Sequence, residues 1–334
     1  MASGITHRPV LVAEMDDIRP FIRLLRGVAL KPNALMEILG DMGQISVTVE
    51  DSRTLTAIAW IPTCIFTSFT FNPPVNDPPI FEIELESMLH CLYVLGNTGP
   101  IGKSKTLNKR RFADDNDEAG DDEGRWGRDR KGATSMRMEW MGKGHELKML
   151  LRSKGKGPIT EFSLRTLEPE ELVNPEFDIN QLVFSVQMRS EDLLSALADL
   201  PPSSRRITLV AIPPKDSRLT SDQVDEGLQK RQRDELGQLT IQAEGDFGSV
   251  ELDYPNEKDV LERFACEESI SVSYHSAHFN HLSRALHGTV KVCIQIDVRG
   301  LLCAQIMTQE PIDMNTHRGL LEFKMPPLEE DVID

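Results

Sequence analysis

Residues 270–297 read ISVSYHSAHFNHLSRALHGTVKVCIQID, and the hydrophobic period changes twice within them. Ile270 to His275 alternates polar residues with β-branched and aromatic ones, the pattern of a half-buried strand. From Ser276 the apolar residues Phe279, Leu282 and Leu286 fall three and four apart, which sets them on one face of a helix running to His287. Val290 to Asp297 returns to strand-like alternation. A helix set this closely between strands packs against a sheet and not in a bundle.

Working outward, the same order of elements occurs twice. Towards the C-terminus Leu301 to Thr308 and Gly319 to Met325 read as further strands. Towards the N-terminus come a hairpin, Gln238–Glu244 and Ser249–Asp253 about Gly245–Gly248, then a strand at Arg206–Ile212. Before these lie a helix at Ser190–Leu200, stopped by Pro201 and Pro202, and a strand at Leu182–Met188. The first half begins with an amphipathic helix over Asp16–Lys31, with Ile18, Phe21, Ile22, Leu25, Val28 and Ala29 on one side. Asp16 and Asp17 offer capping oxygens, and Pro20 lies in the first turn, where its missing N–H is tolerated. Strands follow at Ile45–Glu50, Leu55–Ile61, Ile65–Phe71 and Ile80–Leu85, with turns at Gly40–Gly43 and Asp51–Arg53. A second helix runs from Ser87 to Leu95 and stops at Gly96, and strands at Ser135–Met141, Glu146–Arg152 and Pro158–Thr166 close the half.

The expected fold is therefore α+β, two similar domains, each with two helices gathered on antiparallel sheets. The first domain spans 1–166 and contains a charged insertion over 97–134, where basic clusters (Lys103–Arg111 and Arg128–Lys131) bracket an acidic run; this composition predicts disorder. Residues 167–181, acidic and holding Pro169 and Pro175, read as an extended linker. The second domain spans 182–328, with a charged insertion over 213–236 and an acidic tail over 329–334.

Composition narrows the function. A net charge of −16 over 334 residues argues against a protein that coats nucleic acid, because such binding needs many Lys and Arg on phosphates. Any DNA contact must be local. The five cysteines are scattered, with no Cys-x-x-Cys pair, which fits reduced thiols of the cytosol or nucleus. No run is apolar enough to span a bilayer, and Met1–His7 does not begin like a secretory signal.

Three stretches carry a family resemblance: Gly245-Asp246-Phe247-Gly248-Ser249 followed by Leu252-Asp253-Tyr254-Pro255; the strand Val290–Ile296 before Asp297, Arg299 and Gly300; and Ile45-Ser46-Val47-Thr48-Val49-Glu50 with Leu11–Leu25. Together with the repeat they resemble the DNA sliding clamp family, that of proliferating cell nuclear antigen, and within it the Rad-one subunits of the nine-one-one checkpoint clamp. The resemblance implies a ring subunit and no enzyme, with helices lining a central hole and sheets outside. It implies two homologous subunits as partners in a heterotrimer and a loader that places the ring on double-stranded DNA at primer-template-type junctions. It also implies a nuclear location, a platform role for checkpoint and repair proteins, and no cofactor.

Against that frame the candidate residues fall into three groups. Arg19, Arg23 and Arg26 are spaced i, i+4, i+7 and stack on one stripe away from the apolar face. A solvated face opposite a core has the same appearance; the resemblance turns the stripe into the hole, with Lys31 extending it. The last helix would present His281 and Arg284, beside Asn280 and His287. The second helix carries only His90, and the third shows Glu191, Asp192 and Asp199, so Arg189, Arg205 and Arg206 flanking it would have to compensate. Contacts of this kind go to phosphates and carry no sequence preference. For partner peptides the resemblance implies a hydrophobic pocket beneath the linker, near Val49, Leu55, Ala57, Leu167, Leu172, Phe323, Met325 and Pro326, where plain core packing is the competing reading. For ring closure, Pro158–Thr166 and Gln238–Glu244 are the candidate free edges.

Other motifs carry less. His275, His278 and His281 straddle a strand–helix junction and lack a carboxylate or thiol neighbour, so no metal site is expected. Gly99–Ser104 lacks the strand that must precede a phosphate-binding loop, and the Asp-Phe-Gly of 246–248 lacks every companion kinase motif. Two alternatives stay open: a metal-dependent 3'-5' DNA exonuclease built from dispersed carboxylates, and a nuclear adaptor protein on a non-clamp fold.

Overall fold

β1 (Leu11–Met15) buries every second residue and leads directly into α1 (Arg19–Gly27). The structure is a computed structural model that describes residues 8–73, 78–95, 133–153, 159–214, 237–246, 248–308 and 319–328. After α1 come β2 (Asn33–Leu39), β3 (Gln44–Asp51), β4 (Leu55–Pro62), β5 (Ser68–Phe71), β6 (Ile80–Glu84), α2 (Leu85–Leu95), β7 (Thr134–Trp140), β8 (Leu147–Ser153), β9 (Ile159–Leu164) and β10 (Thr166–Leu167). The second half holds β11 (Leu182–Arg189), α3 (Ser190–Asp199), β12 (Arg206–Ile212), β13 (Gln238–Gly245), β14 (Gly248–Pro255), β15 (Arg263–Cys266), β16 (Ile270–His275), α4 (Ser276–Leu286), β17 (Lys291–Asp297), β18 (Leu302–Met307) and β19 (Leu320–Met325).

The strands form three antiparallel sheets, ordered β5-β1-β7-β8-β9, β10-β6-β2-β3-β4-β19-β18-β17-β11-β15 and β14-β13-β12-β16. Two strand orders of the first half recur in the second. β5-β1-β7-β8-β9 returns as β15-β11-β17-β18-β19, and β6-β2-β3-β4 returns as β16-β12-β13-β14. The halves are sewn together where β4 pairs with β19, Ala57 opposite Phe323 and Thr56 opposite Lys324. Their counterparts β14 and β9 are left as edges. The sequence reading places one free edge at Gln238–Glu244; that strand, β13, is paired on both sides, and the edge is β14. Alternation marks both arms of a hairpin alike and does not say which arm is the inner one.

All four helices of the described residues lie in a row over one face of the ten-stranded sheet. α2 packs on β2 and β6, α1 on β4 and β19, α4 on β19 and α3 on β11 and β17, while α1 touches α2 and α4, and α4 touches α3. α1 is shorter than expected. Asp17 Oδ1 accepts the Arg19 N–H at 3.0 Å at its start, and it stops at Gly27, since Pro32 drives Lys31 towards an extended backbone and β2 begins at Asn33. A Cβ on Gly27 would meet the Leu321 side chain at 2.3 Å, so the missing side chain is what lets α1 of the first half rest on β19 of the second. Phe21, Ile22, Leu24 and Leu25 fill that contact. None of the described helices is long and apolar enough to cross a membrane. The charged insertions and the acidic tail fall largely or wholly outside the described residues, as do Gly96 and the 99–104 motif.

Candidate nucleic-acid interface and docking rim

The helix row puts α1 and α4 in the middle and α2 and α3 at the flanks, so its charges are not spread evenly. Arg26 on α1 is exposed, and so are Asn280 and Arg284 on α4 and His287 just past its end. The outward residues of α2 are Glu86, His90 and Val94, and those of α3 are Glu191, Ser195, Ala198 and Asp199. Positive charge is therefore confined to the seam between the halves. Arg19 is held by Asp17, its guanidinium 2.6 Å from the carboxylate, and this bond raises its pKa. Arg23 is half-buried, and burial followed by repulsion from Arg19 lowers its pKa. Arg189 pairs with Asp192 at 2.9 Å, while Arg205 and Arg206 are exposed beside the start of α4, where Ser276 N–H donates to the Arg205 carbonyl.

Two of the candidate cations serve the seam itself. Asp51, at the tip of the β3–β4 hairpin, lies 2.8 Å from Lys31 Nζ and 3.7 Å from His281 Nε2, and the hydrogen bond from Lys31 is the largest cause of its lowered pKa. One turn earlier on α4, buried His278 meets the Thr54 hydroxyl at 3.1 Å. Burial, then the neighbouring His275, pushes the His278 pKa from 6.5 down to about 4, so the ring is neutral near pH 7. Burial lowers His281 as well, opposed by Asp51. His281 thus looks across the seam, not out from the helix row. Its spacing of three and six from Arg284 and His287 puts it with the exposed residues, and the hairpin of the other half is what shows that its flank of α4 is covered. The three histidines do not converge, and no group of His, Cys, Asp or Glu among the described residues is placed to hold a metal ion.

The hairpin tip is strained. Ser52 and Arg53 both take φ of +58°, and the Thr54 N–H donates to the Asp51 carbonyl at 3.1 Å, a primed turn built without glycine or asparagine. Each such residue costs roughly 1–2 kcal/mol. Glu50 offsets part of this by accepting the Arg53 N–H at 3.0 Å with one carboxylate oxygen, and the other accepts the Val173 N–H of the linker.

That linker follows the rim of the ten-stranded sheet on a series of polar clamps. Glu82 accepts from the Glu170 N–H at 3.4 Å, the Thr56 hydroxyl donates to the Val173 carbonyl at 2.8 Å, Lys324 donates to Asn174 at 2.9 Å, and Arg299 donates to the Glu176 carbonyl. Leu167 is exposed, and Leu172 and Pro326 are partly so. Val49, Leu55, Ala57, Phe323 and Met325 are instead buried among the core residues beneath the helices. They are the inward members of their strands; the outward ones at this rim are Thr48, Thr56 and Ile58, which are also buried. A cavity of about 250 Å³ opens at the start of the linker, between Pro78, Ile80, Phe81, Lys143, Thr166 and Leu167. The clamp residues Glu50, Thr56 and Lys324 had no signal in the sequence, since each acts on a segment more than a hundred positions away.

Comparison with known proteins agrees with this geometry. The solved structure of proliferating cell nuclear antigen from Thermococcus kodakaraensis superimposes over 95% of this chain and 100% of its own with a TM-score of 0.61 and 15% identity, which shows the sliding clamp fold. Cell cycle checkpoint protein RAD1 of Homo sapiens is 26% identical over 297 residues, covering 89% of this chain and 85% of that protein. A protein named DNA repair exonuclease REC1 in Mycosarcoma maydis is 24% identical over 278 residues, covering 70% of this chain and 59% of its own length. The family model described as repair protein Rad1/Rec1/Rad17 matches residues 10–308, and with the clamp fold already built from its strands the chain belongs to that Rad1 family.

Proposed function

We propose that this chain is one subunit of a heterotrimeric ring that a loader closes around duplex DNA at sites of damage in the nucleus, where it serves as a platform for checkpoint and repair proteins. The observation that carries the reading is the repeat: β4 and β19 join the two halves within the chain, and their equivalents β14 and β9 stand open at opposite ends. A strand edge of this kind is a template for pairing with another chain, and head-to-tail pairing that closes makes a ring. The helix row then faces the hole. Arg23, Arg26 and Arg284 line its centre, Arg19 and Lys31 stand beside them under the hold of Asp17 and Asp51, His281 faces Asp51 within the seam, and Arg189, Arg205 and Arg206 lie at the margins. The names of the relatives supply the checkpoint and repair setting. The linker rim, with Leu167 at the opening near its start and Leu172 and Pro326 partly exposed further along, is the docking place for partner peptides, while Val49, Leu55, Ala57, Phe323 and Met325 support it from the core.

Co-expression with homologous clamp subunits should give a complex of three chains by native mass measurement; a chain that never joins one would sink the reading. Replacing Arg19, Arg23 and Arg26 together with Glu should leave that complex intact and weaken its retention on circular DNA by about tenfold or more, because three phosphate contacts become repulsive. The name exonuclease on one relative keeps a second reading open, a metal-dependent 3'-5' nuclease. Release of nucleotides by the purified chain with magnesium or manganese, absent from an inactive preparation, would favour it.

A further inference from the structure

The internal repeat transfers a register to the two free edges. β3 and β4 align Gln44 with Pro62, and β13 and β14 align Gln238 with Pro255, so Thr56, Ala57, Ile58, Ala59 and Trp60 correspond to Ser249, Val250, Glu251, Leu252 and Asp253. β18 and β19 align Leu302 with Met325, and β8 and β9 align Leu147 with Leu164, so Leu320–Lys324 corresponds to Ile159–Ser163. Glu161 then matches Glu322, and Phe162 matches Phe323. Within the chain Phe323 faces Ala57 and Glu322 faces Ile58. Carried to the edges, the same register sets Phe162 opposite Val250, a good apolar pair, and Glu161 of one molecule opposite Glu251 of the next. Asp253 stands diagonal to the same Glu161.

We infer that Glu161 and Glu251 form a like-charge pair that prevents a second copy of this chain from closing on the first, so that each edge accepts only a homologous subunit lacking an acid at the facing position. Like charges directly opposite across a strand pair are destabilising, and specificity between similar partners is commonly set by such repulsion. Both glutamates are exposed; on β14, Glu251 is held in place by Gln242 at 3.1 Å and Asp253 by Thr240 at 2.7 Å, so neither Glu251 nor Asp253 can turn away without losing a bond. Lys148 and Arg152 stand on β8 opposite Ser163 and Ile159, one pair to either side of Glu161, and soften the repulsion without meeting Glu251. The same register operates inside the chain without a like-charge pair, because Glu322 there faces Ile58 in place of a second acid.

The inference rests on the ring reading, and the test separates the two. Sedimentation of the full chain, Glu161→Lys, Glu251→Lys and the double reversal at one ionic strength decides it. The unaltered chain should stay monomeric. Either single reversal puts Lys opposite Glu and should strengthen self-association on the order of tenfold per edge. The double reversal restores a like-charge pair and should return to monomer. Simple reduction of net charge, from −16 to −14 and then −12 as each Glu→Lys adds two, predicts the opposite order, with the double variant associating most. That order, self-association of the unaltered chain, or monomeric single variants would overturn the exclusion. A chain that enters a three-subunit complex with homologues while its single variants stay monomeric loses the exclusion and keeps the ring.

Discussion

His278 shows how a single residue ties the two halves to pH. Its ring is buried on α4 and faces Thr54, His275, His281 and Asp51, with Nδ1 lacking a hydrogen-bond partner and Nε2 on the Thr54 hydroxyl. The folded pKa of about 4 lies below the ordinary 6.5, so between these values the unfolded chain binds a proton that the folded chain does not. Stability from this group is present above pH 6.5 and is lost as pH falls towards 4, with no further loss below. The expected difference is on the order of 2 kcal/mol after allowing for solvent at the seam. Denaturant melts at pH 7 and pH 4.5 should show that loss in the native chain and a smaller one in His278→Gln; equal losses in both would remove the assignment. None of this was legible in the sequence, where His278 figures only in a three-histidine spacing and nothing shows the hairpin tip that covers it.

At the scale of elements, the strands and helices of the second half follow their residues closely apart from β15, whose short run RFAC shows no alternation to read, because β-branched alternation and a clear three-four spacing leave little choice elsewhere. The first half departs in instructive places. β2 reads NALMEIL, with five good helix formers, yet it buries Ala34, Met36 and Ile38 on one side as a strand between β3 and β6. Pairing on both flanks outweighs a propensity difference of tenths of a kcal/mol per residue. The β3–β4 turn was visible at Asp51–Arg53, but its handedness was not, since Ser-Arg is a poor sequence for a primed turn. Supplying the preferred one, Ser52→Asn with Arg53→Gly, should stabilise the chain by about 1 kcal/mol, the relieved strain less the entropy of the added glycine. A lower thermal midpoint would mean that the turn is held by Glu50 and Asp51 in a shape the ideal turn cannot share.

Across the whole molecule, β19 is the joint. Phe323 is fully buried where β19 meets β4 and lies in the same core as α1 of the first half. Phe323→Ala should cost about 3–5 kcal/mol, and because the ten-stranded sheet runs unbroken through this pair, both halves should lose stability together. Hydrogen exchange of β3 and of β17 should rise in parallel; protection kept in β3 alone would show that the halves are independent. By itself the sequence determined the four helices, most of the strands, the α+β class and an acidity that argues against broad coating of nucleic acid, since these follow from local period and composition. The strands Leu11–Met15, Asn33–Leu39, Thr166–Leu167 and Arg263–Cys266 were not legible in it. Only the tertiary structure decided which arms of the hairpins are edges, that α1 and α4 share the seam, and that five of the presumed pocket residues belong to the core. Those outcomes depend on pairings between segments far apart in the chain, and a period of two or of 3.6 says which face a residue occupies but not what will cover it.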